Sequence, residues 1–164
     1  MSETTIPPQV RIGHVHLKVS DLDRSMKFYR DVLGFEVQQY YGKGAAYLSA
    51  GGYHHHIGLN TWESRGGTPP PSRSTGLYHV GILYPSRKEL ARAVKRLIDH
   101  GIAIDSMSDQ GVSESVYVRD PDFNSLELYC DRDPSQWPRS PDGELRMITD
   151  PLDLASLLSE LESE

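Results

Sequence analysis

Ile12-Gly13-His14-Val15-His16-Leu17-Lys18-Val19 and Leu77-Tyr78-His79-Val80-Gly81-Ile82-Leu83 decide the fold, because the second stretch restates the first. In each, apolar residues alternate with others at the period of a strand that buries one face. Val15, Leu17 and Val19 form that face in the first copy, and Val80 and Ile82 in the second. His14 and His79 stand on the opposite faces, at matching places. A helix is predicted after each strand. Ser20-Asp21 has N-cap chemistry, Leu22, Met26, Tyr29 and Leu33 recur at helical spacing, and Gly34 suits a C-cap. Residues 86–100 repeat the arrangement with Leu90, Val94, Leu97, Ile98 and Gly101.

Three strands are predicted after each helix: 35–41, 45–50 and 53–60 in the first copy, then 102–107, 114–119 and 123–130 in the second. The fold class is therefore α+β, with two βαβββ modules over residues 10–132. Module one covers about 10–61 and module two about 76–132. Residues 62–75 between them are rich in Gly, Pro and Ser and include Pro69-Pro70-Pro71, the composition of a linker. Residues 1–10 read as a loose leader. A tail, 133–164, ends in a short amphipathic helix with Leu154, Leu157, Leu158 and Leu161. Such a helix needs a partner surface, either its own domain or a second copy. Duplicated units pack about a pseudo-twofold axis, so a site drawn from equivalent positions lies between them.

Composition narrows the function. Net charge is −6 over 164 residues, without the basic patch that nucleic acid requires. The single cysteine, Cys130, excludes an internal disulfide. No apolar run approaches a membrane span, and the polar start of the chain is no signal peptide. A soluble, cytoplasmic protein is expected, with no membrane partner.

The last strand, Asp120-Pro121-Asp122-Phe123-Asn124-Ser125-Leu126-Glu127-Leu128-Tyr129, sets a carboxylate between two leucines. Glu127 belongs either to an exposed sheet face or to a site where a metal or a buried acid compensates its desolvation. His14, His79 and Glu127 all project from non-core strand faces. Two histidines and one carboxylate on one side of an ion leave open positions on the other, the facial arrangement typical of non-haem ferrous iron.

These stretches, with Phe28-Tyr29-Arg30-Asp31-Val32-Leu33-Gly34-Phe35 and Val116-Tyr117-Val118-Arg119-Asp120-Pro121 through Glu127, resemble the vicinal-oxygen-chelate superfamily. That superfamily includes extradiol dioxygenases, glyoxalase I and the bleomycin- and fosfomycin-resistance proteins. The likeness covers about residues 10–132 and leans towards catechol 2,3-dioxygenase-like proteins. It implies a cupped, barrel-like mixed sheet around a metal site, with His14, His79 and Glu127 as ligands. Fe(II) is the implied metal, with Mn(II), Ni(II) and Zn(II) as alternatives. The implied substrates are a small aromatic molecule, a catechol, and O2.

By the same resemblance Tyr117, ten residues before the carboxylate, hydrogen-bonds the substrate or dioxygen. A histidine of the first module's last strand serves as acid–base. Family spacing selects His55, whereas strand parity from Ile57 and Leu59 turns His54 and His56 away from the core. The chain departs from the extradiol pattern twice. Gln110 stands nearest the usual substrate-binding histidine, and Phe123 takes the usual place of glycine after Asp-Pro. Some extradiol enzymes carry a further pair of modules. With two, added surface is expected from a second chain, as a homodimer. The alternatives are a glyoxalase-like isomerase or lyase and an antibiotic-binding resistance protein. The first needs a second carboxylate, and residues 44–62 contain no Asp or Glu.

Overall fold

The computed structural model describes residues 5–162, so part of the expected leader and the last two residues of the tail lie outside the described residues. The first module runs β1 (Val15–Lys18), α1 (Leu22–Met26), a π-helical run (Lys27–Val32), β2 (Glu36–Tyr41), β3 (Ala45–Ser49) and β4 (Ile57–Asn60). The second runs β5 (Val80–Leu83), α2 (Arg87–Asp99), β6 (Ile104–Asp109), β7 (Ser113–Arg119) and β8 (Ser125–Asp131). Residues 61–79 between them form no helix or strand. Both helices begin where the capping chemistry lies. Asp21 accepts from Arg24 N, and Ser86 accepts from Glu89 N. The expected single first helix is instead α-helical and then π-helical, with Phe28, Tyr29 and Val32 buried on the π stretch.

Strand order is β1-β4-β3-β2 in one sheet and β5-β8-β7-β6 in the other. In each, the first and last strands of the module pair in parallel and the rest antiparallel. The two sheets are not closed into a barrel, which corrects the expectation of one barrel-like sheet. The physical reason lies in how the modules meet. Their seam is built from helices and loops. Tyr29 donates from its hydroxyl to Asp120 Oδ2 at 2.8 Å in the interior. Ser20 N donates to Asp122 Oδ2 at 3.0 Å, and Arg24 pairs with Asp122 Oδ1 at 2.8 Å. Arg96 of α2 reaches Asp31 O at 3.2 Å and lies over Gly34, where an added Cβ would stand 2.4 Å from its guanidinium. Edge strands β1 and β5 therefore stay unpaired on their outer sides.

One apolar core serves both modules and the tail: Leu17, Tyr29, Leu48 and Leu59 from the first, Leu90, Val94, Leu97 and Leu126 from the second, and Leu157 from the tail. The tail helix, α3 (Leu154–Leu158), packs on its own chain. Arg87 of α2 ties it down, bonding Ser156 O at 3.1 Å and Glu160 Oε1 at 2.7 Å while also holding Glu114 Oε2 at 2.7 Å. The stretch before it covers the turn after β6. Asp109 and Asp150 exchange backbone bonds at 2.8 and 2.9 Å, and Ile148 N donates to Gln110 O. Among the described residues no helix is long and apolar enough to cross a membrane.

Candidate metal centre

On β8, alternation sends Leu126, Leu128 and Cys130 into the core and leaves Ser125, Glu127 and Tyr129 on the other face. Glu127 pairs across the antiparallel ladder with Tyr117 of β7, and Ser115 lies two residues back on the same face. Both hydroxyls donate to one carboxylate oxygen. Ser115 Oγ lies 2.7 Å and Tyr117 Oη 2.9 Å from Glu127 Oε1. The other oxygen, Oε2, lies 2.9 Å from His79 Nε2. His79 occupies the last position before β5, and its Nδ1 is buried without a protein partner. Gly81 leaves room for the ring of Tyr129, which an added Cβ would approach to 3.1 Å.

Burial and the adjacent Glu127 raise the Tyr117 phenol above its ordinary value. The hydroxyl therefore stays protonated as a donor, and its hydrogen goes to Glu127. Gln110 Nε2 donates in turn to Tyr117 Oη at 2.9 Å. Ser115 was not singled out among the candidate residues. Its signal was parity, because it shares a face with Tyr117 on a strand already predicted.

His14 stands at the matching place before β1 in the first sheet, exposed. Its ring meets that of His55, with centroids 4.4 Å apart, and His55 also packs on Tyr47 at 5.0 Å. The three consecutive histidines take three different roles. His54 Nδ1 contacts His55 Nδ1 at 2.8 Å, and His56 Nδ1 accepts from Ala50 N at 3.2 Å. The strand begins at Ile57, and His56 just before it already bonds Leu48 O and Val15 N through its backbone. Desolvation first, then the neighbouring His14, lowers the His55 imidazole below its ordinary value. His16 is a packing residue. It lies against Gly58, bonds Asn60 Nδ2 at 3.0 Å, and faces Tyr47 and Trp62.

The chain thus brings His79, Glu127, Tyr117 and Gln110 together on one sheet, and His14 and His55 on the other. Among the described residues, no three His, Cys, Asp or Glu side chains converge on a point that would hold an ion. Phe123 lies in the turn between β7 and β8, where the backbone takes φ +64°, the left-handed region that glycine adopts freely. The glycine-like turn is kept, with a phenyl ring 65% exposed outside it.

Residues 11–128 match the Glyoxalase/Bleomycin resistance protein/Dioxygenase superfamily. The chain belongs to this superfamily. It is 42% identical over 98% of its length to the catechol-2,3-dioxygenase of Bacillus subtilis (strain 168). It is 33% identical over 77% of its length to the biphenyl-2,3-diol 1,2-dioxygenase 3 of Rhodococcus globerulus. The matches span 55% and 65% of those two proteins. Among solved structures, a glyoxylase/bleomycin resistance protein/dioxygenase domain from Frankia sp. EAN1pec is 26% identical with a TM-score of 0.62, covering 75% of this chain and 98% of that one. The superfamily member described here is thus α+β, with a fold like that of its solved relatives.

Proposed function

We propose that the protein is an extradiol-type dioxygenase that opens a catecholic ring beside its two hydroxyls, both atoms of O2 entering the product. One observation carries the reading. Glu127 has one carboxylate oxygen fixed by Ser115 and Tyr117, which leaves the other beside His79 Nε2 at 2.9 Å. A carboxylate oriented in this way, next to an imidazole, is a half-built site for a divalent first-row metal. His14 is the third proposed donor, and Fe(II) the proposed ion. Iron, when bound, supplies Lewis acidity and a common meeting point for the catechol and dioxygen. The relatives named catechol and biphenyl-diol dioxygenases support the same chemistry.

The chain's own residues do the positioning and proton handling. Ser115 and Tyr117 keep Glu127 oriented. Gln110 keeps the Tyr117 hydroxyl oriented and, being an amide, exchanges no proton near neutral pH. His55 is the proposed acid–base. Its Nδ1 is engaged by His54, so Nε2 is the atom left to take a proton from a catechol hydroxyl and return it as the ring opens. The acidic charge and the single buried cysteine suit a small-molecule enzyme of the cytoplasm.

The test is to load the protein with ferrous iron anaerobically, remove the excess, measure bound iron, and admit air with a panel of substituted catechols. The expected result is bound iron and a yellow ring-opened product carrying both atoms of labelled dioxygen. Iron-loaded protein that opens none of the catechols overturns the proposal.

A further inference from the structure

The strand that carries Glu127 continues past the candidate metal centre. β8 runs to Asp131, and Arg132 follows it. Arg132 N donates to Val112 O at 2.8 Å, which sets this residue beside the turn between β6 and β7. That turn bears Gln110.

At its end the β6–β7 ladder closes on two like charges. Asp109 of β6 and Glu114 of β7 are partners in register. Like charges set directly opposite on a sheet oppose the pairing. Arg132 stands between them. Its Nη2 bonds Asp109 Oδ2 and lies 3.0 Å from Glu114 Oε1. Glu114 is buried, and Arg87 holds its other oxygen. Two carboxylates repel more strongly at a buried site than in water, because less solvent screens them. Without Arg132 the group that gives way is Asp109. Glu114 keeps Arg87, whereas among the described residues Asp109 is ion-paired with Arg132 alone.

Asp109 in turn shapes the loop. Its Oδ1 accepts from Gly111 N at 2.8 Å, and Gly111 takes φ +76°, the left-handed region. Gln110, between the two, donates from its backbone to Ser113 O at 2.9 Å and from Nε2 to Tyr117 Oη at 2.9 Å. A phenol hydroxyl is both donor and acceptor. With Gln110 donating to its oxygen, the hydrogen of Tyr117 is left for Glu127 Oε1. A continuous line of contacts therefore leaves Arg132, just past β8, and returns to Glu127 within that strand.

We propose that Arg132 is a positioning residue for the metal centre. It holds Asp109 against Glu114, and through the turn between them it aims Gln110 at Tyr117, which fixes Glu127. The inference rests on the proposed metal-binding role of Glu127.

A double-mutant cycle tests this. Wild type, Arg132→Gln, Gln110→Ala and the double variant are titrated anaerobically with ferrous iron, and folding is checked by circular dichroism. Outer partners of a metal ligand are worth roughly 10- to 100-fold in affinity, and Arg132 acts at the far end of its line, so Arg132→Gln is expected to weaken iron binding by about tenfold. In the Gln110→Ala background the same change is expected to cost nothing further, because the line to Tyr117 is already cut. A general loss of stability would weaken both backgrounds alike. If Arg132→Gln does not fold, Asp109→Asn replaces it, with the same outcome expected, because the amide keeps an acceptor for Gly111 N and loses the charge that Arg132 pairs. Equal losses in the two backgrounds, or no loss in the native one, overturn the positioning role and leave the metal-binding reading standing. A wild type that takes up no iron overturns the metal-binding reading, and the positioning role with it.

Discussion

The two sheets carry equivalent histidines at equivalent places, yet they differ in how firmly the surroundings are built. In the second sheet, Glu127 is held by two hydroxyls, Tyr117 is held by Gln110, and the turn at Gln110 is covered by the tail. At Gly111 an added Cβ would stand 2.5 Å from Pro138, so the cover is close. In the first sheet, His14 is exposed and rests on a ring contact with His55. Duplication therefore produced one half-site that is preorganised and one whose donor points out to solvent. The rigid half fixes the geometry of Glu127 and His79, and the open half leaves His14 exposed.

Breaking the rigid half has the largest expected effect. Glu127→Gln keeps the shape and removes the charge. Ferrous iron affinity measured by anaerobic titration is expected to fall by more than about a hundredfold, beyond what loss of a supporting residue brings. Next come the supports. Ser115→Ala and Tyr117→Phe are each expected to cost roughly 10- to 100-fold in iron affinity, by freeing Oε1 of Glu127. His54→Ala, in the open half, is expected to leave iron affinity unchanged, and an equal loss there would erase the contrast between the sheets.

Stability measurements sharpen the same contrast on the second module. Leu157 is fully buried between tail and core, and Leu157→Ala is expected to lower unfolding free energy in denaturant by about 3 kcal/mol. Tyr84, just after β5, has its phenol pushed up by burial to about 12. Its neutral form is thus favoured in the folded state. The stability it contributes is full below pH 10, where the unfolded phenol is also neutral, and is lost as pH rises from 10 to 12. The loss amounts to about 2–3 kcal/mol. Tyr84→Phe is expected to flatten that decline in melts recorded across this range. The smallest effect is at the turn. Phe123→Gly relieves a left-handed side-chain conformation and is expected to raise stability by about 1 kcal/mol, leaving Asp120 bonded to Asp122 N and Asn124 N.

Much of this was legible in the chain. The restated His14 and His79 stretches announce two modules, strand alternation sets Glu127 off the core face, and the family resemblance supplies Tyr117. Capping residues Asp21 and Ser86 mark the helix starts. How the modules meet was not legible, because it depends on pairs such as Tyr29 and Asp120, which are far apart in sequence and have no periodic signature. Parity and family spacing point to different histidines among His54, His55 and His56, because the run lies at the very start of the strand that begins at Ile57. The tail helix was ambiguous for a similar reason. Its leucines require a partner, and the burial of Leu157 in the common core, with the Arg87 bonds to Ser156 and Glu160, shows that the partner is its own domain.

The central claim is that the two sheets supply complementary parts of one metal centre. The most direct measurement is an anomalous difference map at the iron edge, from crystals grown anaerobically with ferrous iron. The expected result is a peak bounded by His79 and Glu127, with His14 as the third protein ligand. A peak remote from Glu127 would contradict the account.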